Sequence, residues 1–293
     1  MHNNLFTIGS FTIHGYGLMI ALGFIAALFM SRLISNQHGL DNGKVLDIFF
    51  NSLIWGFVGA KLLYCITVFK DFIKQPFYYL FSSGGLVVYG GIIIAIVANI
   101  IFCYREDLDF FEYANCLIPL VSLGQMFGRI GCLLAGCCYG KETTSSFAIT
   151  FTHSDFAPNN VALYPTQLMF AFGNAILFMI LYYNLQKGKH KEFNIGIYCI
   201  GYGVGRFVLE YFRGDDARGF IGDISTSQLI SIFFVLIGVS YFALLRYMNT
   251  DDYKNKMALI TAMANAKLSE KEKQIDTKKL GKLIEKNEKA ARK

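Results

Sequence analysis

Long apolar segments recur along this chain and restrict it to one class of fold. Seven segments of about 20 residues follow one another, and an α-helix needs that length to cross the hydrocarbon core of a bilayer. Only 16% of the residues are charged, whereas a soluble domain carries about a quarter. We therefore predict an all-α, polytopic membrane protein rather than a soluble or disordered chain. The predicted spans are 12–32, 46–69, 84–104, 114–134, 163–185, 194–213 and 226–247.

The basic loops indicate the orientation of these seven predicted transmembrane helices. An odd number of spans places the two termini on opposite sides, and Lys and Arg concentrate in cytoplasmic loops. With the N-terminus outside, the inner loops contain Lys187, Lys189, Lys191 and the basic C-terminal flank. We therefore predict an N-out, C-in topology. Residues 1–10 contain no Lys or Arg, so we expect the first span to be retained rather than cleaved as a signal peptide.

The C-terminal residues differ in composition from the membrane body, which we predict to be residues 1–250. Residues 251–293 contain 12 Lys or Arg and 7 Asp or Glu, so most of the formal net charge of +6 lies there. A solvated cytoplasmic tail is the simpler interpretation, and attraction to anionic inner-leaflet lipids is the alternative. Because the charge is confined to this tail, it gives no indication of nucleic-acid binding.

A few charged residues lie within the apolar spans. A charge at the bilayer centre costs about 2.5–3.5 kcal/mol on insertion scales, so such residues usually face the interior of a helix bundle. Arg206, Glu210 and Arg213 have the spacing i, i+4, i+7, which predicts a shared helix face. Arg206 and Glu210 either neutralise each other or line a polar cavity. Two arginines around one acid leave a positive charge that suits a phosphate.

The predicted topology brings several polar side chains to the same depth. Tyr16 and Tyr89 lie near the outer ends of their spans, and so do Arg129 and Arg213. The two tyrosines, Arg129 and the helix of Arg206 are therefore predicted to converge in the outer half of the bilayer. Arginine and tyrosine side chains at this depth predict a site for the headgroup of an outer-leaflet phospholipid.

Five motifs resemble those of a known family. The segments Gly124–Gly140 (GQMFGRIGCLLAGCCYG) and Arg206–Asp215 (RFVLEYFRGD) resemble the signatures of prolipoprotein diacylglyceryl transferases. Three shorter matches occur in the family's order, and the resemblance as a whole covers residues from about 10 to 247. These matches are Tyr16–Met19 (YGLM), Gly59–Tyr64 (GAKLLY) and Pro165–Leu168 (PTQL).

The resemblance implies a reaction and a set of site residues. The family transfers the diacylglyceryl group of phosphatidylglycerol to the lipobox cysteine of a preprolipoprotein, which forms a thioether and releases glycerol phosphate. It implies a multi-pass enzyme of the bacterial cell membrane without a cofactor. The resemblance implies that Arg129, Arg206 and Tyr16 are catalytic, together with Tyr89 by its position, and that the substrate-binding residues are Arg129, Glu210, Arg213, Gln125, Gly140 and Gln167.

The chain departs from the family pattern at positions that carry polar chemistry. Tyr89 and Tyr164 replace two histidines, and Cys132, Ala135 and Cys137 replace polar signature residues. A tyrosine of ordinary pKa, about 10, is a poor general base at neutral pH. These departures allow three interpretations. The acceptor thiol is activated by a group other than histidine, the acceptor is a group other than the lipobox cysteine, or the chain has lost transferase activity. We predict retained transfer because every matching arginine is present. An anion transporter is the alternative of another class, but no internal repeat supports it.

Three cysteines accompany the signature arginine. Cys132, Cys137 and Cys138 have the spacing C-x4-C-C without a nearby histidine, which fits a zinc site poorly. A thiol relay or a covalent lipid attachment is a second interpretation, because an adjacent arginine lowers a thiol pKa. We prefer the third interpretation, small apolar side chains that pack a glycine-rich segment, and predict no metal.

Overall fold

The described residues are mainly helical, and the chain divides into two units, Met1–Val239 and Ser240–Lys293. In the computed structural model, the described residues are 4–8, 11–82, 84–188, 190–215, 219–222, 224–251 and 253–258.

The helices and strands follow one another in this order: β1 (Asn4–Ile8), β2 (Phe11–His14), α1 (Gly15–His38), α2 (Asn42–Thr67), α3 (Phe69–Phe72), α4 (Pro76–Phe81), α5 (Val88–Arg105), α6 (Phe110–Ala135), β3 (Ile149–Thr150), β4 (Ala162–Leu163), α7 (Thr166–Lys187), a 3-10 turn (Lys191–Phe193), α8 (Asn194–Glu210), β5 (Phe220–Ile221), β6 (Ile224–Ser225) and α9 (Thr226–Met248). The strands form three antiparallel pairs, β1–β2, β3–β4 and β5–β6.

Six of the described helices are long and apolar enough to cross a membrane, namely α1, α2, α5, α6, α7 and α9. The seventh predicted span, 194–213, forms the 17-residue helix α8, which ends at Glu210. Seven transmembrane helices therefore stay a prediction. The span predicted from residue 84 begins as a helix only at Val88. Of the predicted tail 251–293, only residues 251 and 253–258 are described, and they are helical.

The outer surfaces of the long helices are apolar. In the six apolar windows only 17–33% of the residues are buried, although mean hydropathy reaches 1.4 to 2.2. Large side chains such as Ile25, Phe29 and Phe57 are more than 60% exposed. Such a surface is stable against lipid and unstable in water, so the chain is a multi-pass membrane protein.

Glycines allow α2 and α5 to approach closely. A Cβ atom on Gly59 would lie 2.5 Å from the Gly90 carbonyl oxygen, and one on Gly91 would lie 2.5 Å from the Gly56 carbonyl oxygen. Any side chain at these positions would separate the two helices. Small residues have this role at helix contacts in membranes, where close packing drives association.

Polar contacts join the helix ends on one side of the bundle. Lys44 at the start of α2 forms an ion pair with Glu106, which follows α5. Lys191 forms an ion pair with Glu112 at the start of α6, at 2.8 Å. Asp41 and Asp109 cap the first turns of α2 and α6 with their carboxylates. The start of α5 and the end of α6 therefore lie on the opposite side of the bundle.

Candidate functional site

A cavity of about 390 Å³ lies among α5, α6, α8 and α9. Most of its wall is apolar and includes Leu86, Ile92 and Phe234. Four residues that the sequence predicted for the site also line it: Tyr89, Gln125, Arg129 and Arg206. Tyr89, Arg129 and Arg206 therefore converge as predicted, whereas Tyr16, which was predicted to join them, does not line this cavity.

Arg129 and Arg206 are held beside the same aromatic ring. The guanidinium carbon of Arg129 lies 4.6 Å from the centre of the Phe170 ring, and that of Arg206 lies 5.0 Å from it. Phe170 comes from α7 and is 3% exposed. Cations are attracted to the face of an aromatic ring, so Phe170 offsets part of the repulsion between two neighbouring positive charges.

Arg206 has partners on only part of its guanidinium group. Its Nη2 atom lies 3.2 Å from a Glu210 carboxylate oxygen and donates a hydrogen bond of 2.8 Å to the Ser227 hydroxyl. Its Nη1 atom is buried and has no hydrogen-bond partner among the residues that the structure describes. Arg206 therefore pairs with Glu210, as one interpretation predicted, and it also lines the cavity. The remaining Nη1 donor suits a ligand oxygen.

A capping box at the start of α9 positions Glu210. The Ser225 amide donates to the Gln228 side chain, and the Gln228 amide donates to the Ser225 hydroxyl, both at 3.1 Å. The same Ser225 hydroxyl donates to Glu210 at 3.0 Å. Helices commonly begin with this S-x-x-Q pattern, so the sequence contained a signal for it that our prediction did not use.

Arg213 lies outside the helix and outside the cavity wall. Because α8 ends at Glu210, the predicted face shared by Arg206, Glu210 and Arg213 does not continue to the third residue. Arg213 instead donates two hydrogen bonds to Asp215, at 2.9 and 2.5 Å. This bidentate pair occupies the fork of the guanidinium group. Arg213 therefore stays within electrostatic range of Arg206 and Glu210, but its guanidinium group binds Asp215 and does not line the cavity.

Gly140 lies where three chain segments meet. It pairs with Arg213 in an isolated β-bridge, and a Cβ atom on it would lie 2.4 Å from the Tyr164 carbonyl oxygen. Gly214 is equally confined, because its Cβ atom would lie 2.6 Å from the Gly140 carbonyl oxygen. Gly140 thus supports the backbone around the site and does not line the cavity.

The remaining predicted residues have different surroundings. The Gln125 amide group donates to the Tyr198 hydroxyl at 2.8 Å, within the cavity wall. Gln167 is fully buried and donates to the Cys137 carbonyl at 2.8 Å, so it supports the segment after α6. Tyr16 is 44% exposed, is absent from the cavity wall and lies within electrostatic range of Arg129 and Cys132.

The three cysteines near Arg129 lie together. The sulfur atoms of Cys132, Cys137 and Cys138 are all within 4.8 Å of one another. Hydrogen bonds with Cys132 and Cys137, together with the charges of Arg213 and Arg129, lower the pKa of the Cys138 thiol. The sequence spacing alone did not predict this proximity.

Comparison with known proteins identifies relatives over most of the chain. The sequence profile of prolipoprotein diacylglyceryl transferases matches residues 3–244. A phosphatidylglycerol–prolipoprotein diacylglyceryl transferase of Clostridium tetani is 37% identical over 83% of this chain and 97% of its own length. A second one, of Clostridium perfringens, is 39% identical over 78% of this chain and 89% of its own. The transferase of Aliivibrio salmonicida is 32% identical over 86% and 90%.

Proposed function

We propose that this chain, which belongs to the prolipoprotein diacylglyceryl transferase family, transfers the diacylglyceryl group of phosphatidylglycerol to the lipobox cysteine of a preprolipoprotein. The relatives' names supply the substrate class. One observation carries the chemistry: two guanidinium groups lie on the same buried ring beside a largely apolar cavity.

The charges around the cavity suit a phosphodiester. Glu210 offsets the charge of Arg206, whereas Arg129 forms no ion pair among the described residues. One positive charge is therefore left for the single negative charge of phosphatidylglycerol. Arginine is suited to this role because its planar group donates two parallel hydrogen bonds to phosphate oxygens.

The same arginines stabilise the leaving group. The acceptor sulfur attacks the glyceryl carbon, the carbon–oxygen bond breaks, and its electron pair stays on the phosphate oxygen. The negative charge on glycerol phosphate therefore grows as the reaction proceeds. Preorganised donors in a water-poor site stabilise such developing charge strongly. Tyr89 keeps its proton at neutral pH and donates a hydrogen bond to the phosphate.

We place the cavity in the outer half of the bacterial cytoplasmic membrane, in a seven-helix, N-out and C-in body of residues 1–250. Lys44 and Lys191, which form ion pairs with Glu106 and Glu112, lie at the same end of the bundle. Because basic residues concentrate on the cytoplasmic side, this supports a cytoplasmic assignment for that end. Tyr89 starts α5 at the opposite end. Residues 251–293 form a cytoplasmic tail in this arrangement.

The test is a transfer assay with the purified full chain. Phosphatidylglycerol vesicles and a lipobox peptide are incubated with the protein, and the peptide mass is measured. We expect a gain of one diacylglyceryl unit that Arg129→Ala abolishes. Arg105→Ala, an exposed arginine at the end of α5, is the matched control and retains transfer.

Two other results would contradict the proposal. Consumption of phosphatidylglycerol without peptide modification would show that the acceptor is another molecule. Anion flux through liposomes without any lipid consumption would show a transporter.

A further inference from the structure

At the end of α6 the chain turns so that the side chains of three cysteines lie close together. Gly136 ends the helix with a left-handed φ of 76°, and the chain turns back so that the Cys137 amide donates to the Cys132 carbonyl at 3.1 Å. Cys138 also has a positive φ, 57°, which a non-glycine residue rarely adopts. Backbone strain of this kind persists where the surrounding structure holds it and is concentrated at functional sites.

The three sulfurs lie close enough for one zinc ion to bind all of them after a small adjustment. They lie within 4.8 Å of one another. With a zinc–sulfur bond of about 2.3 Å, tetrahedral coordination needs sulfurs about 3.8 Å apart. An adjustment of about 1 Å or less therefore brings the cysteines around one ion. Within the described part of the chain the group has three ligands, which leaves the fourth position open.

The cysteines are adjacent to the arginine that faces the phosphate. Cys132 follows Arg129 by three residues on α6, so their Cβ atoms are about 5–6 Å apart. Arg213 is held nearby, because its neighbour in the β-bridge, Gly140, is two residues from Cys138. Three thiolates and a zinc ion carry one net negative charge, and these arginines offset it.

The described residues that line the cavity include no evident base for the acceptor thiol. A free cysteine has a pKa of about 8.5, and only the thiolate is a good nucleophile. Tyr89 lines the cavity, but a phenol cannot accept a proton efficiently at neutral pH. A metal-bound thiol, in contrast, is deprotonated by the charge of the ion.

We propose that Cys132, Cys137 and Cys138 bind a zinc ion whose open fourth position binds the lipobox cysteine as a thiolate. This inference rests on the proposed function. The open position is typical of zinc sites that act on substrates, whereas structural zinc sites have four protein ligands.

The step conserves atoms and charge. Coordination releases the thiol proton to water. The zinc-bound sulfur attacks the glyceryl carbon next to the phosphate, a sulfur–carbon bond forms, and the carbon–oxygen bond breaks. Its electron pair leaves on glycerol phosphate, which gains one negative charge beside Arg129. The product thioether is neutral, binds zinc weakly and dissociates.

Metal binding is measured first, on the full chain in detergent. After loading with Zn²⁺ and dialysis we expect roughly one zinc ion per chain, and less than a tenth of that in the triple variant Cys132→Ser, Cys137→Ser, Cys138→Ser. Cys65→Ala, which removes a buried thiol of α2 outside the cluster, retains the zinc. Less than about a tenth of an equivalent in the unaltered protein would overturn the proposal.

Cobalt provides a second measurement that does not depend on the folding of the triple variant. Co²⁺ bound to the unaltered protein should show a thiolate charge-transfer band, which the single variant Cys138→Ser weakens. A lipobox peptide should intensify this band, and the same peptide with serine in place of cysteine should not. Absence of the band, or an equal response to both peptides, would contradict the assignment.

Transfer assays separate this inference from the proposed function. Removal of zinc by a chelator should lower the transfer rate about 100-fold or more, and added zinc should restore it. Unchanged transfer by the zinc-free protein would overturn the metal site while the proposed function stands. A zinc-loaded protein that binds the peptide thiol but never alkylates it would overturn the proposed function instead, while the metal site stands.

Discussion

Arg206 and Arg213 are close in sequence and alike in chemistry, but their guanidinium groups have different surroundings. Arg206 shares its charge with Glu210, lines the cavity and keeps one buried nitrogen without a partner among the described residues. Arg213 gives two hydrogen bonds to Asp215 and is absent from the cavity wall. The comparison shows that the partners of an arginine determine whether it is available to a substrate.

The largest effect is expected from removal of the Arg206 pair. Replacing only Arg206 would leave Glu210 buried without its cation, which is strongly destabilising. The double variant Arg206→Gln, Glu210→Gln removes both charges, so no buried carboxylate is left without its cation. We expect kcat/KM for diacylglyceryl transfer to fall about 100- to 1000-fold, as for loss of one donor to a developing negative charge. Transfer within threefold of the unaltered protein would contradict the assignment of Arg206 to the phosphate.

A smaller effect is expected from the ring that both site arginines contact. Phe170→Leu keeps an apolar side chain in α7 but removes the aromatic face. A cation–π contact is worth about 1 kcal/mol, so loss of two contacts should lower kcat/KM about 10-fold or more. The matched control is Phe172→Leu, an exposed residue of the same helix, which should not change the rate. Equal rates for the two variants would show that Phe170 only fills space.

Removal of the Arg213–Asp215 ion pair should lower the stability of the protein more than it lowers the transfer rate. The double variant Arg213→Gln, Asp215→Asn removes two charge-assisted hydrogen bonds without an unpaired charge. We expect a loss of about 1–3 kcal/mol in unfolding free energy, measured as a lower Tm in detergent. The rate in the folded protein should change only a few-fold. A loss of transfer as large as that of the Arg206 variant would show that the two arginines have the same role.

The smallest effect is expected at the capping box that supports Glu210. Ser225→Ala removes the cap of α9 and one hydrogen bond to the carboxylate, so unfolding free energy should fall by about 1 kcal/mol. Ser225→Thr keeps the hydroxyl and should restore Tm and rate. Failure of threonine to do so would mean that the hydroxyl contacts are not what positions Glu210.

Much of the fold followed from local patterns. The apolar runs predicted the long helices, and the i, i+4 spacing of Arg206 and Glu210 predicted their contact, which the structure has at 3.2 Å. The family motifs identified Tyr89, Gln125 and Arg129, which line the cavity. These features depend on composition and on helix periodicity, and both are set by residues that are close together in the sequence.

Other parts of the site could not be predicted in this way. Phe170 lies in an apolar run with no signal that distinguishes it from Phe172. Arg213 had the correct spacing for the helix face, but α8 ends three residues earlier. The cysteine spacing did not predict that the three sulfurs lie together, because the left-handed turn at Gly136 that brings them together cannot be read from spacing.

The sequence by itself determined the class of protein, the helical segments and the residue types available for a phosphate. Only the tertiary structure decided which of those residues act together. Arg129 and Arg206 come from helices distant in sequence and meet on a ring from a third helix. The reason is physical: hydropathy and residue spacing are set along the chain and predict contacts within one helix, whereas contacts between helices depend on how the helices pack.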